Sequence, residues 1–233
     1  MKKIFWLFMV LSASVVMFNS CGDDNDEPGG GGNSNSTTDV GVVINGVKWA
    51  TRNVDAVGTF APTPESPGKF YQWGKNVAWN ATGSATGWTH TDRTGSTWIR
   101  ANDPSPTSWR VPNLDEVKSL CDAEKVTYQW ITQNGVNGGK FTDKLTGNSI
   151  FLPAVGYRSG SPYTGISDVA QANEYGRYWT RTKADIPAFS TYTFYFGNTN
   201  DSPPEFNIGS PKYDWTNVSH LYDWGYSIRP VAE

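Results

Sequence analysis

The sequence predicts an α+β domain of mostly antiparallel strands, with one or two helices and long ordered loops. Three observations carry that expectation. The run Ile150-Phe151-Leu152 is apolar but too short for a helix; Gly147 and Asn148 precede it, and Pro153 and Gly156 follow. That is how a fully buried central strand reads. Asn45-Gly46 stands between two β-rich runs, the strongest short signal for a hairpin. One stretch has clear helical period: Leu114, Val117, Leu120 and Cys121 form an apolar stripe behind Asn113. Asn113 suits the N-cap, Glu116 completes a capping box, and Asp115 with Glu116 favours the positive end of the helix dipole.

The front of the chain has a different character. Lys2 and Lys3 make a charged n-region, and residues 4–18 are apolar but shorter than the roughly 20 residues a bilayer requires. Phe18-Asn19-Ser20-Cys21 follows. It resembles the bacterial lipobox, which implies a lipoprotein signal peptide over residues 1–20 and an acylated Cys21 that holds the mature protein at a membrane. Residues 21–39 then read as the lipidated cysteine and a flexible acidic, Gly-rich tether, too polar to bury a core. The cluster Asp23, Asp24, Asp26 and Glu27 resembles the signal that exports Bacteroidetes lipoproteins to the outer face of the outer membrane. The expected location is therefore the outer membrane, lipid-anchored and facing outward. Residues 40–233 form the folded domain.

Charge and cysteine content narrow the function. Five of the 22 acidic residues lie in the tether and two of the 19 basic residues in the signal, so 17 of each remain from residue 40 onward. A domain of balanced charge has no basic stripe for phosphates, so nucleic acid is not the expected partner. With Cys21 assigned to the anchor, Cys121 is the remaining cysteine, which leaves no internal disulfide and no cysteine-based metal site. On the apolar side of the helix it reads as a small hydrophobe.

Within the domain, residues 40–53 form the Asn45-Gly46 hairpin, with Val47 and Trp49 on one face and Lys48 on the other. Residues 54–108 are mostly loop, with Phe70-Tyr71-Gln72-Trp73-Gly74 the expected strand. Trp73, Trp79, Trp88 and Trp98 are placed to pack that loop from within. Strand character resumes after the helix through Tyr128, Trp130 and Phe141. Residues 159–174 read as loop, and Tyr178-Trp179-Thr180-Arg181-Thr182 as a strand. Residues 189–196 read as another, alternating Phe189, Thr191, Thr193 and Tyr195 against Ser190, Tyr192, Phe194 and Phe196. Residues 198–224 are a polar loop holding Tyr213-Asp214-Trp215 and Tyr222-Asp223-Trp224. Residues 225–231 read as the last strand, with Pro230 ending its pairing or lying at an edge. It is expected to pair with the N-terminal hairpin and close the domain.

Six blocks in order resemble the Fibrobacter succinogenes major paralogous domain, common in Bacteroidetes lipoproteins. They begin at Val42-Val43-Ile44-Asn45-Gly46-Val47-Lys48-Trp49-Ala50-Thr51-Arg52-Asn53, Phe70-Tyr71-Gln72-Trp73-Gly74 and Trp109-Arg110-Val111-Pro112 with its helix. The others are Phe151-Leu152-Pro153-Ala154-Val155-Gly156-Tyr157-Arg158, Tyr178-Trp179-Thr180-Arg181-Thr182 and Gly225-Tyr226-Ser227-Ile228-Arg229-Pro230-Val231. The resemblance implies a C-type lectin-like fold, related to the domain of formylglycine-generating enzymes, with paired termini and binding surfaces built from long loops. Arg181 departs from the Ser that relatives commonly carry in this block, which suggests a tunable surface position.

The residues do not read as an enzyme. The relative's formylglycine-generating chemistry needs a cysteine pair that the C-terminal half lacks. His90 and His220 lie in polar loops without a nucleophile motif, and neither a P-loop nor GxGxxG is present. The calcium-lectin signatures Glu-Pro-Asn, Gln-Pro-Asp and Trp-Asn-Asp are absent. Asn200, Asp201, Asp214 and Asp223 offer oxygens of the kind calcium takes, but oxygen-rich loops are ordinarily just solvated. No metal and no cofactor are assigned. What remains is a surface of Tyr, Trp, Asn and Arg, the composition of a paratope. Its members are Tyr157, Arg158, Tyr163, Tyr175, Arg177 and Arg181, then Tyr213, Trp215, Asn217, His220, Tyr222 and Trp224. The expectation is a surface-anchored ligand-binding or adhesin module for a glycan or protein. The resemblance adds that residues 198–224 are a diversified receptor-binding surface of the kind retroelements vary. The alternative is a structural subunit of an envelope or fimbria-like assembly.

Overall fold

The computed structural model describes residues 36–89, 98–161, 163–183, 191–198 and 223–233, and the backbone of 205–208. All of them fall in one unit, Asn33–Glu233. The signal segment, Cys21, the acidic cluster, His90, Phe189, Ser190, Asn200, Asp201 and Asp214 lie outside the described residues.

The expected hairpin opens the fold. β1 (Val42–Ile44) and β2 (Val47–Trp49) pair antiparallel. Asn45 and Gly46 between them have φ of 44° and 81°, the left-handed pair a type I′ turn requires. Ile44 and Trp49 are buried while Lys48 is exposed. Asp39, assigned by composition to the tether, is held against this hairpin: its carboxylate accepts from the Gly41 N–H at 2.8 Å and the Thr51 hydroxyl at 2.8 Å, and pairs with Arg52 at 3.2 Å.

The next segment contains β3 (Lys69–Gln72), β4 (Trp79–Asn80), β5 (Ala85–Thr86) and β6 (Trp109–Arg110). Its long loops are packed by their own indoles, as the sequence suggested. Trp73, Trp88 and Trp98 are buried. The Trp73 N–H donates to the Thr180 carbonyl and the Trp98 N–H to that of Asn102, both at 2.9 Å. Helix α1 (Leu114–Leu120) begins with the capping box: Asn113 Oδ1 accepts from the Glu116 N–H at 2.9 Å, and Glu116 Oε2 accepts from the Asn113 N–H at 2.7 Å.

β7 (Val126–Gln133), β8 (Val136–Asp143) and β9 (Ser149–Pro153) form one sheet in that order. Ile150, Phe151 and Leu152 are buried as expected, but β9 is an edge strand and not a central one. A continuous apolar run records cover on both faces, and neighbouring segments supply that cover without pairing. Residues 159–174, expected as loop, instead contain the hairpin β10 (Tyr157–Ser161) and β11 (Ile166–Ala170). Its cross-strand pairs are small and polar, Ser159 with Asp168 and Gly160 with Ser167, so no alternation of hydropathy marked it.

β12 (Tyr175–Lys183), β13 (Thr191–Gly197) and β14 (Glu205–Ile208) form a third sheet. The final strand divides at its turn into β15 (Gly225–Tyr226), which joins β10 and β3, and β16 (Val231–Ala232). β16 pairs with β2 at Val231↔Trp49, bringing the C-terminal segment to the N-terminal hairpin. The four sheets run β1-β2-β16-β6, β4-β3-β15-β10-β11-β5, β12-β13-β14 and β7-β8-β9. The fold is thus mostly antiparallel β with one α-helix among the described residues. Two large apolar clusters lie on either side of β12. Tyr178 belongs to one, with Trp49, Leu120, Phe141 and Phe196; Trp179 belongs to the other, with Tyr71, Trp98, Val111 and Ile228.

One carboxylate and one glycine fix joints between these parts. Asp143, at the end of β8, accepts from the N–H groups of Asn45 at 2.7 Å, Leu145 at 2.8 Å and Thr146 at 3.0 Å. The bond from the Asn45 N–H, supported by the others, holds its carboxyl below the usual Asp range. A lowered folded-state pKa contributes stability that is present above the unfolded value and lost as pH falls through the folded one. We expect stability to decline below about pH 4, and Asp143→Asn to flatten that decline, as read from urea midpoints across the acid range. Gly156 has φ of 68°, and a Cβ there would run into the Ala170 carbonyl oxygen. Gly147 has φ of 75° but open space around it. Gly147→Ala should therefore cost about 1–2 kcal/mol from backbone conformation alone. Gly156→Ala should cost clearly more in the same denaturation assay, because backbone must also move.

Candidate functional site: an aromatic ladder around Arg177

On β12, Tyr175, Arg177 and Trp179 project to one face and Gly176 and Tyr178 to the other. The register places Arg177 opposite Tyr195 and Tyr175 opposite Gly197 on β13. Gly197 leaves room for the Tyr175 ring, which a Cβ at that position would strike. Gly176 does the same for Phe196 on the core side. These two pairs, a ring over a glycine in each direction, set the spacing of the strands where the site begins.

A continuous stack follows. The rings of Tyr175 and Tyr195 are 5.1 Å apart and 22° from parallel. The Arg177 guanidinium lies 4.9 Å from the Tyr195 ring on one side and 4.9 Å from the Tyr157 ring on the other. Tyr157 then stacks on Trp224 at 4.9 Å and 27°. The order is Tyr175, Tyr195, Arg177, Tyr157, Trp224, drawn from β13, β12, β10 and the residue before β15. All five side chains are half-buried. Tyr226 backs the stack edge-on to both Tyr157 and Trp224. Burial raises the Tyr226 phenol, and the adjacent Arg177 cation partly offsets that rise.

A guanidinium between two π-faces gains on the order of 1 kcal/mol per ring at partly exposed sites. Nη2 of Arg177 also donates to Gln171 Oε1 at 2.9 Å. Nε is buried without a hydrogen-bond partner among the described residues. The planar cation is therefore held by its faces and one edge. Its aromatic side chains have few torsions, and their mutual stacking restricts those further.

The other residues singled out by sequence lie elsewhere. Arg158 is a correction: it is fully buried, 0% exposed, and does not face a ligand. Its Nε and Nη2 donate to the Asn80 carbonyl at 3.0 and 2.5 Å, its Nη2 to Gly83 at 2.8 Å, and its Nη1 to Ser167 at 2.8 Å. It ties the loop after β4 to the β10–β11 hairpin, and burial lowers its pKa from the usual Arg value. Beside Tyr157 in sequence, it points to the opposite face of β10. Tyr163 is 92% exposed at the tip of that hairpin. Arg181 is half-buried further along β12, where the register with β13 shifts, and its main chain bonds to Pro112 and Trp98. Tyr213, Trp215, Asn217, His220 and Tyr222 lie outside the described residues.

Sequence reading missed Tyr195 and Gln171. Tyr195 carried a usable signal, since it is the aromatic member of an otherwise Thr-rich alternate set on β13. Gln171 carried none. Among the described residues, no group of three or more His, Cys, Asp or Glu is placed to hold a metal ion. No helix among them is long and apolar enough to cross a membrane.

No protein-family model, curated protein or solved structure matches the chain. Fold and site define a mostly antiparallel β protein whose third sheet carries a half-buried aromatic and cationic ladder.

The two arginines make contrasting predictions in chemical denaturation. Arg158→Met strands several buried carbonyls and should destabilise by about 3 kcal/mol or more. Arg177→Lys keeps the charge but loses the planar sandwich. It should cost about 1–2 kcal/mol and alter the near-UV circular dichroism of the stacked tyrosines.

Proposed function

We propose that this chain is a non-enzymatic binding module of a bacterial envelope lipoprotein, presenting the Arg177 ladder to a glycan or protein partner outside the cell. The observation that carries the reading is the ladder itself. Five side chains from four segments converge in one preorganised stack that stays partly open to solvent. With the ring faces occupied by one another, the stack offers a ligand ring edges and phenol hydroxyls. That is a pattern suited to hydroxyl-rich or amide-rich partners. The signal segment and Cys21 supply the anchor in this reading, and residues 22–35 the reach away from the membrane. A C-type lectin-like fold is the proposed family of architectures. Its supports are the β2–β16 pairing near the ends of the domain, the long packed loops and the capped helix α1.

Anchor and ladder are tested separately. Cys21→Ser should release the protein from the membrane fraction, and surface protease should reach the wild-type protein on intact cells. On a glycan array or in pull-downs, Tyr175→Phe with Tyr195→Phe keeps the stack and removes two hydroxyls. Binding should fall by about tenfold or more, the loss of one or two hydrogen bonds. Unchanged binding removes the ladder as the site, and a fixed stoichiometric complex in native mass spectra of envelope extracts supports a structural subunit instead.

A further inference from the structure

The sheet of β7, β8 and β9 has a second face, away from the Phe141 core. In its registers Lys140 stands opposite Phe151 on β9 and Gln129 on β7, and opposed residues of antiparallel strands project to the same side. Phe141, the next residue of β8, is buried in the core, so Lys140 and Phe151 face the other way. The loop carrying Pro64 and Glu65 lies over that face. It is tied to the β7–β8 turn by Glu65 Oε1, which accepts from the Gln133 amide at 2.6 Å and the Asn134 amide at 2.9 Å.

Between loop and sheet is a cavity of about 170 Å³. That is room for several waters or one ring-sized solute. Phe151 supplies an apolar floor, and its ring is fixed against Gly138, where a Cβ would strike it. Pro64 forms a wall, Ser149 contributes a hydroxyl, and the Thr51 hydroxyl, which donates its proton to Asp39, is left with an oxygen that can accept. Gln133 spends its amide N–H on Glu65, which leaves its carbonyl oxygen as an acceptor. Lys140 is the one charged residue lining the cavity. It is half-buried, and among the described residues its ammonium has no hydrogen bond or ion pair. Glu65, the nearby carboxylate, is already committed to two amides.

We propose that this cavity is a binding site, distinct from the ladder, for a small carboxylate-bearing sugar such as a hexuronate. The carboxylate pairs with the Lys140 ammonium, a charge-assisted contact in a partly desolvated setting. The C–H face of the ring rests on Phe151. The ring hydroxyls donate to the Thr51 oxygen and the Gln133 carbonyl and exchange hydrogen bonds with Ser149. The apolar floor and the hydroxyl partners favour a ring over a bare anion, and Lys140 favours an acid over a neutral sugar.

Titration of the full-length chain with galacturonate and glucuronate, followed by amide shifts in ¹H–¹⁵N spectra, tests the site. Saturable shifts are expected at Lys140, Ser149 and Phe151, with affinity about tenfold above that for galactose or glucose, the usual scale of one charge-assisted bond. Lys140→Met and Lys140→Gln should both abolish that preference without moving the urea midpoint. The proposal is overturned if uronates cause no saturable shift at these amides, or if neutral sugars bind equally. It is also overturned if inorganic phosphate shifts the same amides as strongly, or if the Lys140 variants bind uronates unchanged. None of these outcomes bears on the ladder, which a separate pair of variants probes.

Discussion

β12 is the element on which the rest of the structure depends. It is buried on both sides for the two residues at its middle, and those residues are aromatic. Tyr178 enters the cluster formed by the N-terminal hairpin, α1 and the β7–β9 sheet; Trp179 enters the cluster beneath the long loops. Each also has its polar atom placed. The Tyr178 hydroxyl donates to the Pro153 carbonyl at 2.8 Å and the Trp179 indole N–H to the Tyr71 carbonyl at 2.6 Å. Burial pushes the Tyr178 phenol up to about 12, so it remains the protonated donor over the whole neutral range. A strand that must satisfy two cores at once has little freedom in register or twist.

That constraint reaches the surface through pairing. The C-terminal segment runs alongside β12: the Trp179 N–H donates to the Ser227 carbonyl at 3.0 Å, and the Ser227 N–H to the Arg177 carbonyl at 3.3 Å. Two residues further on, Arg229 is buried, with Nε donating to Asn53 Oδ1 at 2.9 Å and Nη1 to the Ala50 carbonyl at 3.3 Å. Burial lowers its pKa, and the nearby Tyr178 and Asp39 counter that effect. The positions of Trp224 and Tyr226 follow from this clamp. So does the fit of Trp224 on Tyr157, since β15 also pairs with β10 at Arg158↔Gly225. The ladder is rigid because its members inherit positions fixed in two cores.

Much of the framework was legible in the chain. The Asn-Gly turn, the capped helix and the apolar run of β9 depend on residues within a few positions of one another, and local chemistry suffices to place them. The loop tryptophans were legible for a related reason: a large ring in a polar segment has few places to go but inward. The β10–β11 hairpin was not legible, because a strand of Ser, Gly and Asp is held by backbone pairing that leaves no periodic trace. Arg158 was misjudged on the same ground. One step along β10 separates it from Tyr157, and which of the two turns inward depends on a loop about 75 residues earlier in the chain.

The sequence by itself determined the first hairpin, the capped helix, the apolar strand β9, the balanced charge and the aromatic richness of the second half, since each is a property of short windows or of composition. Only the tertiary structure decided which rings meet. Tyr157, Arg177, Tyr195 and Trp224 become neighbours through cross-strand register and a shared buried strand. Register is a relation between distant segments, fixed by how two cores close together, and no periodicity within one segment encodes it.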